Sequence, residues 1–278
     1  MNQVFDLKRW LLLTGKHWNE NKKKYLLGLV AIAALAIIWF SFRILIDPGY
    51  PIDQEQQLIT YYVGLFVIGC LYASLLFSDL ADGPKGIHYL LVPASALEKL
   101  LTAILFGVVL YFICYTVIFY VVDFTMIKIA NGVAHNFWEQ HQGIRLRQEN
   151  VVNIFTGPPE MVDNDVLIYL MLIFLAVQAA FLLGSVYFPK YSFIKTAISL
   201  LVIFLIGVFY VHNVLGSMMP KGHFYEGLGA YKVFQKNGQE KIVALPSSIG
   251  RILGFLLMYS FAPIFWVVTY FRLKEKEV

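Results

Sequence analysis

The sequence predicts an all-α membrane protein that crosses a bilayer six times, and three observations carry that expectation. Hydrophobic residues make up 59% of the 278 and charged residues 14%, well under the quarter usual in soluble domains. Six apolar stretches have about the length a helix needs to cross the hydrocarbon core, roughly 20 residues. The basic residues are also divided unevenly between the segments that join those stretches. A soluble chain of this size could not keep so much apolar surface out of water. The net charge of +4 is too small to point to nucleic acid.

The whole chain, 1–278, is expected to form a single transmembrane domain. Residues 1–24 are polar and basic, with no small-residue cleavage site after a short apolar core, so the first apolar run is expected to stay as an anchor. Within them Phe5, Leu7, Trp10, Leu11, Leu13 and Trp18 alternate with Asp6, Lys8, Arg9, Lys16 and His17. That pattern predicts an amphipathic helix on the inner membrane face; an extension of the first span is the alternative. The spans themselves are read at 25–42, 59–78, 100–122, 166–188, 192–212 and 252–271. Lys195 stands near one end of the fifth, where it can snorkel, and Pro263 should kink the sixth.

With the N-terminus inside, the inner segments hold 13 of the 22 basic residues and 7 of the 18 acidic ones. The excess is densest at Lys22, Lys23 and Lys24, directly before the first span, where the positive-inside rule is strongest. The reading is therefore N-in and C-in. Trp39, Tyr61, Tyr62, Trp266 and Tyr270 stand near span ends, which suits either an interfacial aromatic belt or ordinary packing.

Between the second and third spans lies a compact inner loop, 79–99. Gly83-Pro84 marks a turn, and Ser95 with Glu98 three residues on has capping-box spacing for the next helix. Tyr89, Leu90, Leu91 and Val92 make the loop unexpectedly apolar, so it should dock on the bilayer surface or on another protein. Two outer loops, 131–165 and 213–250, are longer. In the second, Asn237-Gly238 between 231–236 and 239–245 predicts a small β-hairpin before the last span. Small residues recur at helical spacing in the spans: Gly69 and Ala73, Ala103 and Gly107, and Ala176, Ala180 and Gly184. Such rows let helices approach closely, within one chain or across a dimer.

Residue patterns that carry chemistry are few. Cys70 and Cys114 lie in apolar runs and offer neither a disulfide framework nor a metal site. No acidic residue falls inside a span, so the usual machinery of a proton- or sodium-coupled transporter is missing. Gln178, the most polar mid-span side chain, is read as an interhelical hydrogen-bonder. Ser185 and His212 would sit about a membrane thickness apart, too far for nucleophilic catalysis. His135 and His141 with Glu139 are six residues apart, on different helix faces, and solvated loop histidines are the better reading. No P-loop occurs, so no catalytic, cofactor or metal site is expected on this chain.

Taken together, these features resemble the membrane subunits of type-2 ABC exporters. The run Tyr89-Leu90-Leu91-Val92-Pro93-Ala94-Ser95-Ala96-Leu97-Glu98-Lys99 is similar to an LPAS-x-x-EK string that precedes the third span in permeases of this kind from Bacteroidota, with Val92 in the leucine position. The resemblance implies a multi-pass protein of the bacterial inner membrane, paired with an identical or related second subunit, exporting by alternating access. It further implies a separate P-loop ATPase holding ATP and Mg, which pushes on 79–99 through His88, Tyr89, Pro93, Ser95 and Glu98. The predicted hairpin departs from the short re-entrant helices of better-known members. An apolar pathway favours a lipid-like, amphipathic or peptide cargo. The alternative is a non-transporting scaffold, sensor or immunity protein acting through its outer loops.

Overall fold

The computed structural model describes residues 5–81, 83–141, 148–158, 164–188, 190–215, 223–225, 230–234, 240–244 and 246–276. The first helix, α1 (Leu7–Ile46), starts where the Asp6 carboxylate accepts the N–H groups of Lys8 at 2.8 Å and Arg9 at 3.4 Å. It ends at Asp47, before Pro48 and Gly49, because the residue preceding a proline is pushed out of helical geometry. Its 40 residues extend roughly 60 Å at 1.5 Å per residue, about twice the hydrocarbon thickness. The separate surface helix expected over 1–24 is therefore not formed. Nothing in Asn19–Lys24 breaks a helix, and the Asn21 amide donates back to the His17 carbonyl at 3.1 Å.

Next come α2 (Gln54–Leu75), capped by Asp53, a 3-10 turn (Ser78–Ala81) and the short α3 (Gly83–Leu90). The following rod runs unbroken from Ala96 to Gln140. It consists of α4 (Ala96–Ile104), a π-helical turn (Leu105–Leu110) and α5 (Tyr111–Gln140). The expected outer loop at 131–165 thus begins ten residues later. Gly132 is the weakest helix former there, and Ala130 and Ala134 are buried, so packing carries the helix on. Trp138 fixes its far end by donating from Nε1 to the Gly49 carbonyl at 2.6 Å.

Helices α6 (Asn164–Tyr187) and α7 (Ser192–Phe209) follow, and Tyr191, directly before α7, takes a left-handed φ of 56°. Beyond a π turn at Tyr210–Leu215 lie three short strands, β1 (His223–Tyr225), β2 (Ala230–Phe234) and β3 (Glu240–Ala244). They form an antiparallel sheet in the order β1-β2-β3, with Ala230 opposite Ala244 and Phe234 opposite Glu240. Asn237 and Gly238, on which the predicted turn rests, lie outside the described residues.

The sixth apolar stretch is two helices, α8 (Ser247–Tyr259) and α9 (Phe261–Lys276). Pro263 has no N–H to give the Tyr259 carbonyl, and the helix breaks there. Among the described residues, five helices are long and apolar enough to cross a bilayer: Leu7–Ile46, Gln54–Leu80, Ala96–Gln140, Val166–Tyr187 and Ser192–Asn213. Large apolar side chains point outward along α1 (Leu27, Val30, Ile38) and α7 (Ile203, Phe204, Phe209). Apolar faces of that extent are not found on soluble monomers; this is a multi-pass membrane protein.

Aromatic side chains join α2, α5 and α6 at the centre. Tyr61 and Tyr62 are buried there as packing residues, whereas Trp39 faces outward. The Tyr111 and Tyr115 hydroxyls donate to the Leu65 and Tyr61 carbonyls at 3.2 and 2.9 Å, tying α5 to α2. Small residues make the approaches close. A side chain at Gly69 would meet Gln178, Phe174 and Tyr111 at 3.0–3.1 Å, one at Gly107 would strike Leu76, and one at Gly184 would strike Thr196. Ala180 is buried beside Gly184, and Ala176 is half-buried. The Gln178 amide, fully enclosed, donates to the Gly107 carbonyl at 2.6 Å. That carbonyl lies in the π turn, where the ordinary i to i−4 ladder is interrupted.

Candidate functional site

Glu98 is the most heavily engaged side chain at the α3 end of the bundle. The capping box read from the sequence forms in full: Ser95 Oγ accepts the Glu98 N–H at 3.3 Å, and Glu98 Oε2 accepts the Ser95 N–H at 3.0 Å. Sequence reasoning missed the second set of partners. Arg9 grips the same carboxylate with a fork, Nε to Oε2 and a terminal nitrogen to Oε1, both at 2.7 Å. The Asp6 N–H adds a bond to Oε1 at 2.8 Å. The Glu98 side chain is 0% exposed. It lies outside the apolar stretch that begins at Leu100. Burial pushes its pKa up, but hydrogen bonds from Arg9 and from the N–H groups of Asp6 and Ser95 outweigh burial and hold it below the usual carboxylate range.

Lys99 secures α3 to this base. Its ammonium donates to the Leu90 carbonyl at 3.2 Å and lies 5.5 Å from the Tyr89 ring centroid. Tyr89 meets Phe77 edge-on at 6.2 Å. Beneath them Phe77, Ala96, Leu100 and Ala103 join Leu182, Val186 and Leu273 in one buried cluster. Lys276 closes the far side by donating to the Val186 carbonyl at 2.7 Å. Burial, aided by Arg272, lowers its pKa.

The five residues expected to receive force therefore divide by position. His88 and Pro93 are exposed, Tyr89 is half-buried against Phe77, and Ser95 and Glu98 are turned into the joint. The large apolar side chains presented outward are two outside those five, Ile87 at 62% exposed and Leu91 at 76%. The predicted compact loop is largely helical.

Polar groups organise the opposite end as well. The fully buried Gln57 amide donates to the carbonyls of Ile52 at 3.2 Å and Asn150 at 3.1 Å, and accepts the Val152 N–H at 2.8 Å. Tyr62 donates to the Ile154 carbonyl at 3.3 Å, and Tyr120 accepts the Ile154 N–H at 3.2 Å. Asn131 clasps the backbone of Glu149 on both sides, at 2.8 and 3.2 Å. These bonds seat Val152 and Ile154 in the core.

Asp123 corrects the sequence expectation about buried acids. It stands one residue beyond the third apolar stretch, is fully buried, and neither carboxylate oxygen has a hydrogen-bond partner among the described residues. His135 lies 3.5 Å from Glu139, while the His141 ring pairs with the Phe137 carbonyl at 2.7 Å, so the two histidines do not converge. The Ser185 hydroxyl donates within its own helix to the Leu182 carbonyl at 2.6 Å, whereas His212 lies in the π turn beyond the far end of α7.

No family model matches this chain, and neither a curated protein nor a solved structure matches it.

Proposed function

We propose that the chain is the membrane subunit of an ATP-driven exporter resembling the type-2 ABC class. In this reading it works in the bacterial inner membrane with a second, identical or related, subunit. Both ends are cytoplasmic, and α8 and α9 together supply the sixth crossing. ATP and Mg belong to a separate P-loop ATPase, and this chain is not itself an enzyme.

The observation that carries the proposal is the construction of the α3 corner. Large apolar residues turned outward from a short helix call for a partner surface, and Ile87 and Leu91 are so placed. Their base is held by Lys99, the capping box and the Arg9 fork. A push on α3 would pass into both α4 and α1. Glu98 and Ser95 are then positioning residues, and Ile87, His88, Leu91 and Pro93 form the contact face. A lipid-like, amphipathic or peptide cargo suits an apolar pathway.

The test is co-purification in mild detergent. A P-loop ATPase should accompany the wild type, and Ile87→Asp with Leu91→Asp should reduce its recovery about tenfold or more, the loss expected when charge enters an apolar contact. Export by the purified chain with no ATPase present would overturn the proposal. The anchored 148–158 segment favours a second reading, a scaffold or sensor that acts through that end. It predicts that the Ile87 and Leu91 changes leave function intact while Gln57 variants lose it.

A further inference from the structure

A cavity of about 690 Å³ opens between α5 and the 148–158 segment, lined by Tyr120, Val121, Phe124, Thr125, Asn150 and Val151. Its chemistry is graded along the helix. Val121 and Phe124 face outward, 63% and 52% exposed, and Val121 belongs to the apolar stretch 100–122. Thr125 and Lys128 lie beyond that stretch. The rise from Val121 to Lys128 is roughly 10 Å, close to the depth of about 5–8 Å over which a bilayer passes from hydrocarbon to water on each side.

A cation stands next to this lining, over the ring of Phe124. The Lys128 ammonium sits 4.0 Å from the Phe124 ring centroid, is exposed, and forms no ion pair with any described carboxylate. Asp123, its nearest acidic neighbour on α5, is turned into the core. Glu149, on the facing segment, is held by its backbone to Asn131. The opposite wall is preformed, because Gln57 fixes Asn150 and Val152 on either side of Val151. An apolar trough with a fixed wall and a cation beside its lining matches one kind of molecule in a membrane.

We propose that this cavity binds one anionic phospholipid of the surrounding bilayer. An acyl chain lies against Val121, Phe124 and Val151, and the headgroup phosphate sits by Lys128, Thr125 and Asn150. This is independent of whether the chain works with an ATPase.

The test uses the full chain in nanodiscs of mixed phosphatidylglycerol and phosphatidylcholine, with lipids retained on release counted by native mass spectrometry. The wild type should retain one phosphatidylglycerol in preference to phosphatidylcholine. Lys128→Glu should lower its retention about fivefold or more, the weight of a basic residue at an anionic surface. Val151→Trp, which fills the trough, should lower retention of both lipids. Lys16→Glu, the same charge change on exposed α1, should leave retention unchanged. Circular dichroism and a monodisperse elution peak qualify each variant as folded, and Thr125→Val replaces Val151→Trp if the latter is not. Equal retention of the two lipids by the wild type would overturn the proposal. So would folded Lys128→Glu and Val151→Trp variants that retain lipid within twofold of it, or displacement of the lipid by glycerol phosphate, which has no acyl chain.

Discussion

The two ends of the bundle solve one problem with different chemistry. Each must hold a segment distant in sequence against the helices. At the α3 end Arg9 and Glu98, 89 residues apart, do so with a forked ion pair reinforced by backbone N–H groups. At the other end Gln57 holds Asn150 and Val152 with a neutral amide, and Tyr62 and Tyr120 add hydroxyls. A buried amide needs only matching backbone groups, and its bonds are indifferent to pH. A buried carboxylate must be paired in full or it destabilises the fold. The charged joint is therefore the conditional one, and it lies directly beneath the exposed face of α3.

The largest effect should come from breaking the neutral joint. Gln57→Ala strands the Val152 N–H and the Ile52 and Asn150 carbonyls. It should cost about 2–4 kcal/mol, since buried groups left without partners each bear a desolvation penalty. The loss should show as a lowered unfolding temperature in detergent, equal at pH 7 and pH 4, with faster hydrogen exchange at 150–154.

The charged joint should respond to pH instead. Glu98 is depressed in the folded state below its ordinary value of 4.5. The stability it contributes is present above that unfolded-state value and is lost as pH falls through the lower folded value. Glu98→Gln should lower the unfolding temperature at pH 7 by less than Gln57→Ala does and flatten its decline below about pH 4.5. An unaltered acid limb in that variant would show that the joint does not titrate.

Tyr115→Phe, between the two ends, gives the smallest change. It removes one hydroxyl bond to the Tyr61 carbonyl, worth about 0.6 kcal/mol for an interhelical bond in a membrane. A loss as large as that of Gln57→Ala would mean that the tyrosine row, not the two end joints, sets the stability of the bundle.

Much of this architecture was legible locally. The Ser95–Glu98 capping box, the break caused by Pro263 and the interhelical role of Gln178 each follow from a residue's own donors and acceptors. The close approaches at Gly69 and Gly107 follow from the absence of a side chain. The continuity of α1 was misread because an amphipathic pattern shows which residues prefer an interface and not whether the helix bends there. Asp123 was missed because the apolar stretch was counted to Val122, and burial does not end where hydropathy does.

By itself, the sequence determined that this chain belongs in a membrane, where its apolar stretches lie, and single caps and breaks such as the Ser95–Glu98 box and Pro263. Those properties depend on transfer free energy and on backbone chemistry within a few residues. Only the tertiary structure decided that Arg9 and Asp6 meet Glu98, that Gln57 seats Val152, and that Ile87 and Leu91 face outward while Ser95 and Glu98 do not. Such pairings depend on which helix faces come together across some ninety residues of chain, and no local pattern carries that information.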